Sequence, residues 1–517
     1  MPPQKTKKKT ATKSQRCPAA SNTSAISVAP DNSPTNSPAA SAVSSLKWPF
    51  LITALLLAAA ILAGLYSYPR HPLYQGDITK LGGGYDYFYY YATVHALQDK
   101  LANIYAPAEM QEYSRQLSGE RQWSVSDNHL PPFYILYLPL SKRSFSQGYY
   151  IHLWANLNII WLAVLALSLS LLPSRRQAYL FLLLFMGATV TLGPAVDNIY
   201  LGQIGFAFAG LLALIFIFDR INYGAPAGIC LALAILCKMY PALLLVYFAL
   251  KHRWQTLKWT AYTLLAMGLA AGLQWGFSRY SDYWQYLSQT MNYDSTVGNQ
   301  ALIGVIANAC PYLSPAELKI VHFCLMALAL SGLSWFSWNL PRRPAHASSG
   351  LLEFSVWVTA ATIVSPISWS HHHIFLILPL LAFLGIACSP ASISISSSSA
   401  DQPAPEPSAA TAEAATPPAA PDSSEFAAKR SPAASANAAL TPNPIKANWN
   451  APIEITSRKR GLAIAGITLI VLLWCFEGET VTNMGVKALH YQFCAYHLGG
   501  ISLLAILAAE IAALKQL

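Results

Sequence analysis

Residues Ala225–Leu250 read APAGICLALAILCKMYPALLLVYFAL, and the fold turns on how this stretch is read. It is longer than the roughly 20 apolar residues that one helix needs to cross a bilayer core of about 30 Å. Lys238 and Pro241 interrupt it. Proline removes a helical hydrogen bond and clashes with the preceding turn, and an ionisable group at membrane depth is costly. The stretch is therefore either one kinked span or a hairpin of two short spans with Lys238 at its tip.

Loop charges decide between them. Further apolar runs of near-spanning length lie at about 47–66, 148–172, 178–196, 203–219, 258–277, 319–339, 350–366, 372–388, 461–477 and 494–514, so the hairpin makes twelve spans. With the N-terminal tail inside, the basic loops Arg175/Arg176, Arg220, Lys251/Arg253/Lys258, Arg342/Arg343 and Arg458/Lys459/Arg460 then share one side with it, as the retention of Lys and Arg in cytoplasmic loops requires. A single span would put every cluster after it outside. The sequence predicts an all-α, polytopic transmembrane bundle of about twelve spans in the cell (inner/plasma) membrane, with both termini cytoplasmic. One segment, LPPFYILYLPL at Leu130–Leu140, is too short to cross and is read as a re-entrant or interfacial helix on the outer face.

Composition agrees. Of 517 residues, 54% are hydrophobic and 11% charged, against about 25% charged in an ordinary soluble domain. The polar residues concentrate in two Ala/Pro/Ser-rich stretches that lack the apolar content to bury a core. This divides the chain into a disordered basic tail at 1–46, a transmembrane catalytic core at 47–388 with an extracytoplasmic loop at 67–147, a disordered cytoplasmic insert at 389–457, and a C-terminal transmembrane pair at 458–517. The net charge of +10 comes without a basic stripe interleaved with aromatics, which argues against nucleic acid and for membrane lipids as partners. The eight cysteines show no CxxC and no Cys/His metal spacing, and no metal site is expected.

On this topology five polar motifs share the outer face: the GGGYDYFYYYATVHALQDK region with Asp86, DNIYLGQ (Asp197–Gln203), Lys238, YDSTVGNQALIG (Tyr293–Gly304) and SPISWSHHH (Ser365–His373). The Tyr-rich stretch after Asp86 suits a helix lying in the membrane interface. Gly82–Gly84 reads as a flexible approach to that helix, since no P-loop lysine follows it. Each motif also has a structural reading: a solvated carboxylate, a snorkelling lysine, capping by Gln203 and Asn299. Three consecutive histidines on an α-helix point some 100° apart, so at most two face one site.

Together, GYDYFYYYA, LPPFYILYLPL, NIYLGQIGFAFAGLLAL, GICLALAILCKMYPALLLVYFALKHRW, NQALIG and SPISWSHHHIFLILPL, in that order from about Tyr85 to Leu384, resemble the multispan glycosyltransferases of the C superfamily, specifically family 87. The resemblance implies transfer of a hexosyl or pentosyl unit, mannose above all, from a polyprenyl-phosphate sugar to an extracytoplasmic glycan or glycolipid, with inversion and no cofactor. It further implies Asp86 as the base on the acceptor hydroxyl, with a histidine of the His371/His372 pair orienting it or sharing its proton. Lys238 is expected on the donor phosphate, and Tyr85, Tyr89, Gln203, Asn299, Trp369 and His373 around the sugar. The chain departs from the family pattern at Ala301, where a serine is usual, and its carboxylate is solitary, with no DxD pair. A multispan transporter or lipid flippase is the alternative, and a non-catalytic assembly scaffold a third reading; a transporter carries ionisable groups along a path near the midplane.

Overall fold

The computed structural model describes residues 47–67, 83–118, 129–290, 299–389, 457–476 and 489–516. The basic tail, nearly all of the Ala/Pro/Ser-rich insert, Gly82 and Tyr293–Gly298 lie outside the described residues. Among those described, the regular elements are helical. In chain order they are α1 (Lys47–Ser67), α2 (Tyr85–Gln98), α3 (Pro107–Ser118), α4 (Phe145–Leu171), α5 (Arg175–Ala188), α6 (Gly193–Leu201), α7 (Gly205–Arg220), α8 (Gly224–Cys237), α9 (Leu244–Leu250) and α10 (Trp254–Trp275). They continue as α11 (Ser278–Thr290), α12 (Leu302–Ala309), α13 (Pro315–Trp338), α14 (Ala347–Ile363), α15 (Ile377–Cys388), α16 (Ser457–Phe476) and α17 (Leu489–Gln516).

By length and apolarity, three described helices can cross a membrane: α4, α13 and the continuous Ser370–Cys388; the bent pair α5/α6 is a fourth candidate. The remaining expected spans are helices that are shorter, more polar or described only in part. Leu162, Leu183, Leu265, Leu273 and Leu328 face outward fully or largely exposed, an apolar belt that water would disfavour and lipid accepts. At the centre, α14 and α15 are buried along their whole length.

The deciding stretch is a hairpin. α8 ends at Cys237, Lys238 is extended, and a 3₁₀ turn at Tyr240–Leu243 leads into α9. Both ends of the hairpin meet at α10: a Cβ placed on Gly228 would lie 2.8 Å from Thr260 N, and one on Gly224 would lie 2.6 Å from Gln255 Cβ. Glycine at these positions lets α8 and α10 touch backbone to backbone. With its 14 residues, α8 rises about 21 Å, short of a bilayer core.

Three expectations change. The run at 178–196 is not one helix; it breaks at Thr189–Leu192 and bends by 60° between α5 and α6. Thr189 and Thr191 donate their hydroxyls to the carbonyls of Met186 (2.7 Å) and Gly187 (2.9 Å), occupying groups that a continuing helix would have used. Secondly, α2 is not laid on the protein's surface: Tyr87, Phe88, Tyr90, Thr93, Val94 and Leu97 are all buried, on more than one side of the helix, so it is packed into protein. Thirdly, Leu130–Leu140 makes 3₁₀ turns at Pro131–Tyr137 and Leu140–Lys142 and not a single helix; Phe133, Tyr134 and Tyr137 are buried, with Tyr137 and Tyr90 ring centroids 4.9 Å apart.

Candidate functional site

Asp86 enters the site through two glycines. Gly84 caps α2 in the left-handed region with φ +84°, and its N–H donates to Tyr200 O at 2.7 Å. Gly202 ends α6 at φ +73°, where a Cβ would lie 2.7 Å from Tyr87 Cβ and 3.3 Å from Gly84 Cα. Only glycine takes both the backbone conformation and the close approach. Gly84 is thus pinned, where the sequence suggested a flexible approach. The consequence is that Gln203, next in the chain, donates its Nε2 hydrogen to Asp86 Oδ2.

Further bonds hold the Gly202 turn from behind. His152 Nε2 stands 3.0 Å from Gly202 O, Tyr149 donates its hydroxyl to Ile199 O at 2.5 Å, and Asn156 Oδ1 accepts from Ala207 N at 3.1 Å. Beside Asp86 on the partly exposed face of α2, Tyr85 and Tyr89 meet edge to face, centroids 4.7 Å apart. At the far end of α2, Tyr113 of α3 donates to Asp99 Oδ2 at 2.5 Å; burial and that carboxylate push the phenol well above its ordinary value, so it remains a donor.

The second half of the site is the histidine turn. Ser370–Leu376 is 3₁₀ and not α, so successive side chains turn by about 120°. His372 Nε2 lies 2.7 Å from Lys238 Nζ. Trp369 donates its backbone N–H to His372 Nδ1 at 3.3 Å. His371 packs its ring edge to face on His372 at 4.6 Å, and its Nε2 is buried without a hydrogen-bond partner among the described residues. His373 is fully buried, and its carbonyl accepts from Trp474 Nε1 of α16 at 3.2 Å. Trp369 is half-buried at the start of the turn.

α6 joins the two halves. Asn198 donates from Nδ2 to His371 O at 2.7 Å, its own carbonyl accepts from Gln203 N at 2.9 Å, and Ser370 donates to Asp197 Oδ2 at 2.6 Å. Asp86, Gln203, α6, the histidines and Lys238 thus form one hydrogen-bonded succession. Tyr85 and Tyr89 adjoin it through α2. Asn299 stands behind the wall: it is buried, its Nδ2 donates to Pro366 O (3.1 Å), and its Oδ1 accepts from Ala301 N (3.1 Å) and Ser368 N (3.0 Å). It clamps the 299–301 segment to the loop that precedes the histidines.

Asp197, Asn198, His152 and Ser370 escaped the sequence reading as site residues. A signal existed for one of them, since His152 and Asn156 are polar residues one helical turn apart inside an otherwise apolar span.

A bundle of apolar helices that gathers a carboxylate, a lysine and histidines around a break in one apolar run has the make-up of a membrane protein. Residues 130–366 match the model of Glycosyltransferase family 87, so over that stretch the chain is similar to that family. The match takes in Gln203, Lys238 and Asn299 and leaves Asp86, Trp369 and the histidines outside it, a narrower stretch than the resemblance from Tyr85 to Leu384. The chain is 30% identical over 218 residues, 41% of its length and 49% of the relative's, to the polyprenol-phosphate-mannose-dependent alpha-(1-2)-phosphatidylinositol mannoside mannosyltransferase of Mycobacterium tuberculosis. To the protein of the same name from Mycolicibacterium smegmatis it is 29% identical over 221 residues, 41% of the chain and 48% of the relative. The chain spans about half the length of the curated relatives it matches. No solved structure matches it. Neither match favours a transporter or flippase.

Proposed function

We propose that this protein is a membrane mannosyltransferase that moves a sugar from a polyprenyl-phosphate donor to a glycolipid acceptor, with the Asp86–Gln203 and Lys238–His372 pairs as its active site. The reading places the N- and C-termini in the cytoplasm, counts about twelve spans, and turns this site to the extracytoplasmic side.

The observation that carries it is the meeting of Asp86 and Lys238 elements around α6. Transfer to an alcohol needs a base for the acceptor proton and a cation for the departing phosphate. Asp86, oriented by the Gln203 amide, takes the acceptor proton as the acceptor oxygen attacks the anomeric carbon from the face opposite the phosphate. A single carboxylate is what an inverting transfer requires. Lys238, turned from His372 to the donor, supplies a point charge to the phosphate oxygens as the glycosidic C–O bond breaks and the phosphate leaves with the electron pair. His371 and His372, beside the lysine, offer nitrogens through which the proton passes on. Tyr85, Tyr89 and Trp369 present aromatic faces to the sugar, and apolar walls between spans admit the prenyl chain. The leaving phosphate is the donor's own, and no cofactor enters.

The test is direct. Purified protein in detergent, given radiolabelled polyprenyl-phosphate mannose and a phosphatidylinositol mannoside, should yield labelled product; label that stays on the donor across a panel of glycolipid acceptors rejects the reading.

A further inference from the structure

At the other end of α7 from Gln203, three turns close on a second polar cavity. Phe216, Asp219, Arg220, Arg253, Arg342 and Phe354 are among its lining. Arg220 donates to the carbonyls of Pro344 (2.5 Å) and Ala345 (2.9 Å), which draws the loop between α13 and α14 over the cavity. Arg253 Nε pairs with Asp219 Oδ2 at 3.1 Å. Arg343, next to Arg342 on that loop, lies within reach of both: burial and repulsion by Arg253 lower its guanidinium from the ordinary value, and Asp219 partly offsets them.

Four guanidiniums (Arg220, Arg253, Arg342, Arg343) are therefore gathered about one carboxylate (Asp219), an excess of four minus one, three positive charges. Lys251 adds nothing to this excess. It is buried against Glu353 at 2.6 Å and donates to Ser337 O and Pro341 O, both at 3.1 Å. Like charges held this close repel unless an anion joins them, and planar guanidinium forks match phosphate oxygens in pairs. Below the guanidiniums the cavity is floored by the apolar rings of Phe216, Phe248 and Phe354.

We propose that this cavity binds a phosphate-bearing anion, the chemistry shared by an anionic phospholipid headgroup and free phosphate. The phenylalanine floor, at the end of apolar helices, favours the lipid. The proposal is independent of the transfer reading, since it concerns the opposite end of α7.

The experiment uses the full chain in neutral detergent. Its unfolding temperature is followed as cardiolipin in phosphatidylcholine vesicles, phosphatidylcholine alone, or inorganic phosphate is added. The expected result is stabilisation by cardiolipin and not by phosphatidylcholine. In Arg342→Gln/Arg343→Gln the cardiolipin affinity should fall about thirty-fold, from roughly fivefold per cation. The exposed pair Arg175→Gln/Arg176→Gln, in the first turn of α5 and outside the cavity, serves as control and should fall far less. Stabilisation by inorganic phosphate with the same dependence on Arg342 and Arg343 supports the site with the free anion as its source. Stabilisation by none of the additives, undiminished binding in the cavity pair, or an equal fall in both pairs overturns the proposal.

Discussion

Gln203 and Arg220 flank one helix of 16 residues, about 24 Å long, and the polar groups at its two ends are arranged differently. Around Arg220, two of the cations have carboxylate partners at close range, Arg253 with Asp219 and Lys251 with Glu353, and Arg220 and Lys251 donate to loop carbonyls. Around Gln203, neutral groups reach the ionisable ones: an amide to Asp86, an imidazole to Lys238, a hydroxyl to Asp197. A matched pair holds helices together. A charge steered by a neutral donor or acceptor keeps its sign for an incoming substrate.

That contrast separates variants that should harm chemistry from variants that should harm folding. The largest effect is expected for Asp86→Asn, which keeps the shape and removes the base: transfer should fall by about 10²–10⁴ with the unfolding temperature unchanged. A comparable loss of stability would put Asp86 in the structural class with Glu353. At the other end, Lys251→Met leaves a buried carboxylate without its cation and should destabilise by about 3–5 kcal/mol. Adding Glu353→Leu should restore most of this in the same unfolding measurement, while transfer per folded molecule stays at the parent level; loss of transfer in the double variant would break the comparison.

A smaller change is expected from Lys238→Gln. A charged hydrogen bond to the donor phosphate is worth roughly 1.5–3 kcal/mol, so the donor KM should rise about tenfold or more while the acceptor KM holds; equal changes in both would reassign Lys238 to packing. Smallest is Trp474→Phe, which removes the indole N–H from His373 O. About 1 kcal/mol of stability and a slight change in donor use should follow, and a large loss of transfer would bring α16 into the site itself.

Much of the outline could be read from residue order. Lys238 in an apolar run flanked by basic loops implied the hairpin, and the contacts of Gly224 and Gly228 with α10 bear it out. The convergence of Arg220, Arg253 and Arg343 near Asp219 likewise agrees with the sorting of loop charges to one side. What eluded the sequence depends on contacts distant along the chain. The run at 178–196 is apolar enough to pass for one span, and Gly193-Pro194, where α6 starts, is the local sign of the 60° bend that delivers Asp197 and Asn198 to the histidine turn. Tyr-rich α2 looked interfacial because tyrosine suits both a wet boundary and a crowded interior; only the rings packed on Tyr87 and Tyr90 distinguish the two. Asn299 had the composition of a sugar contact, and its position revealed a backbone clamp.

Because Gly84 and Gly202 leave bare main chain where α2 meets the α6–α7 corner, the gap across that joint is set by atomic radii and not by the swing of side chains. Such a joint has almost no play. Helices elsewhere in the bundle can tilt as the surrounding lipid thickens or thins, yet the carboxylate and its amide would travel together, so the reacting geometry is insulated from the membrane's own fluctuations.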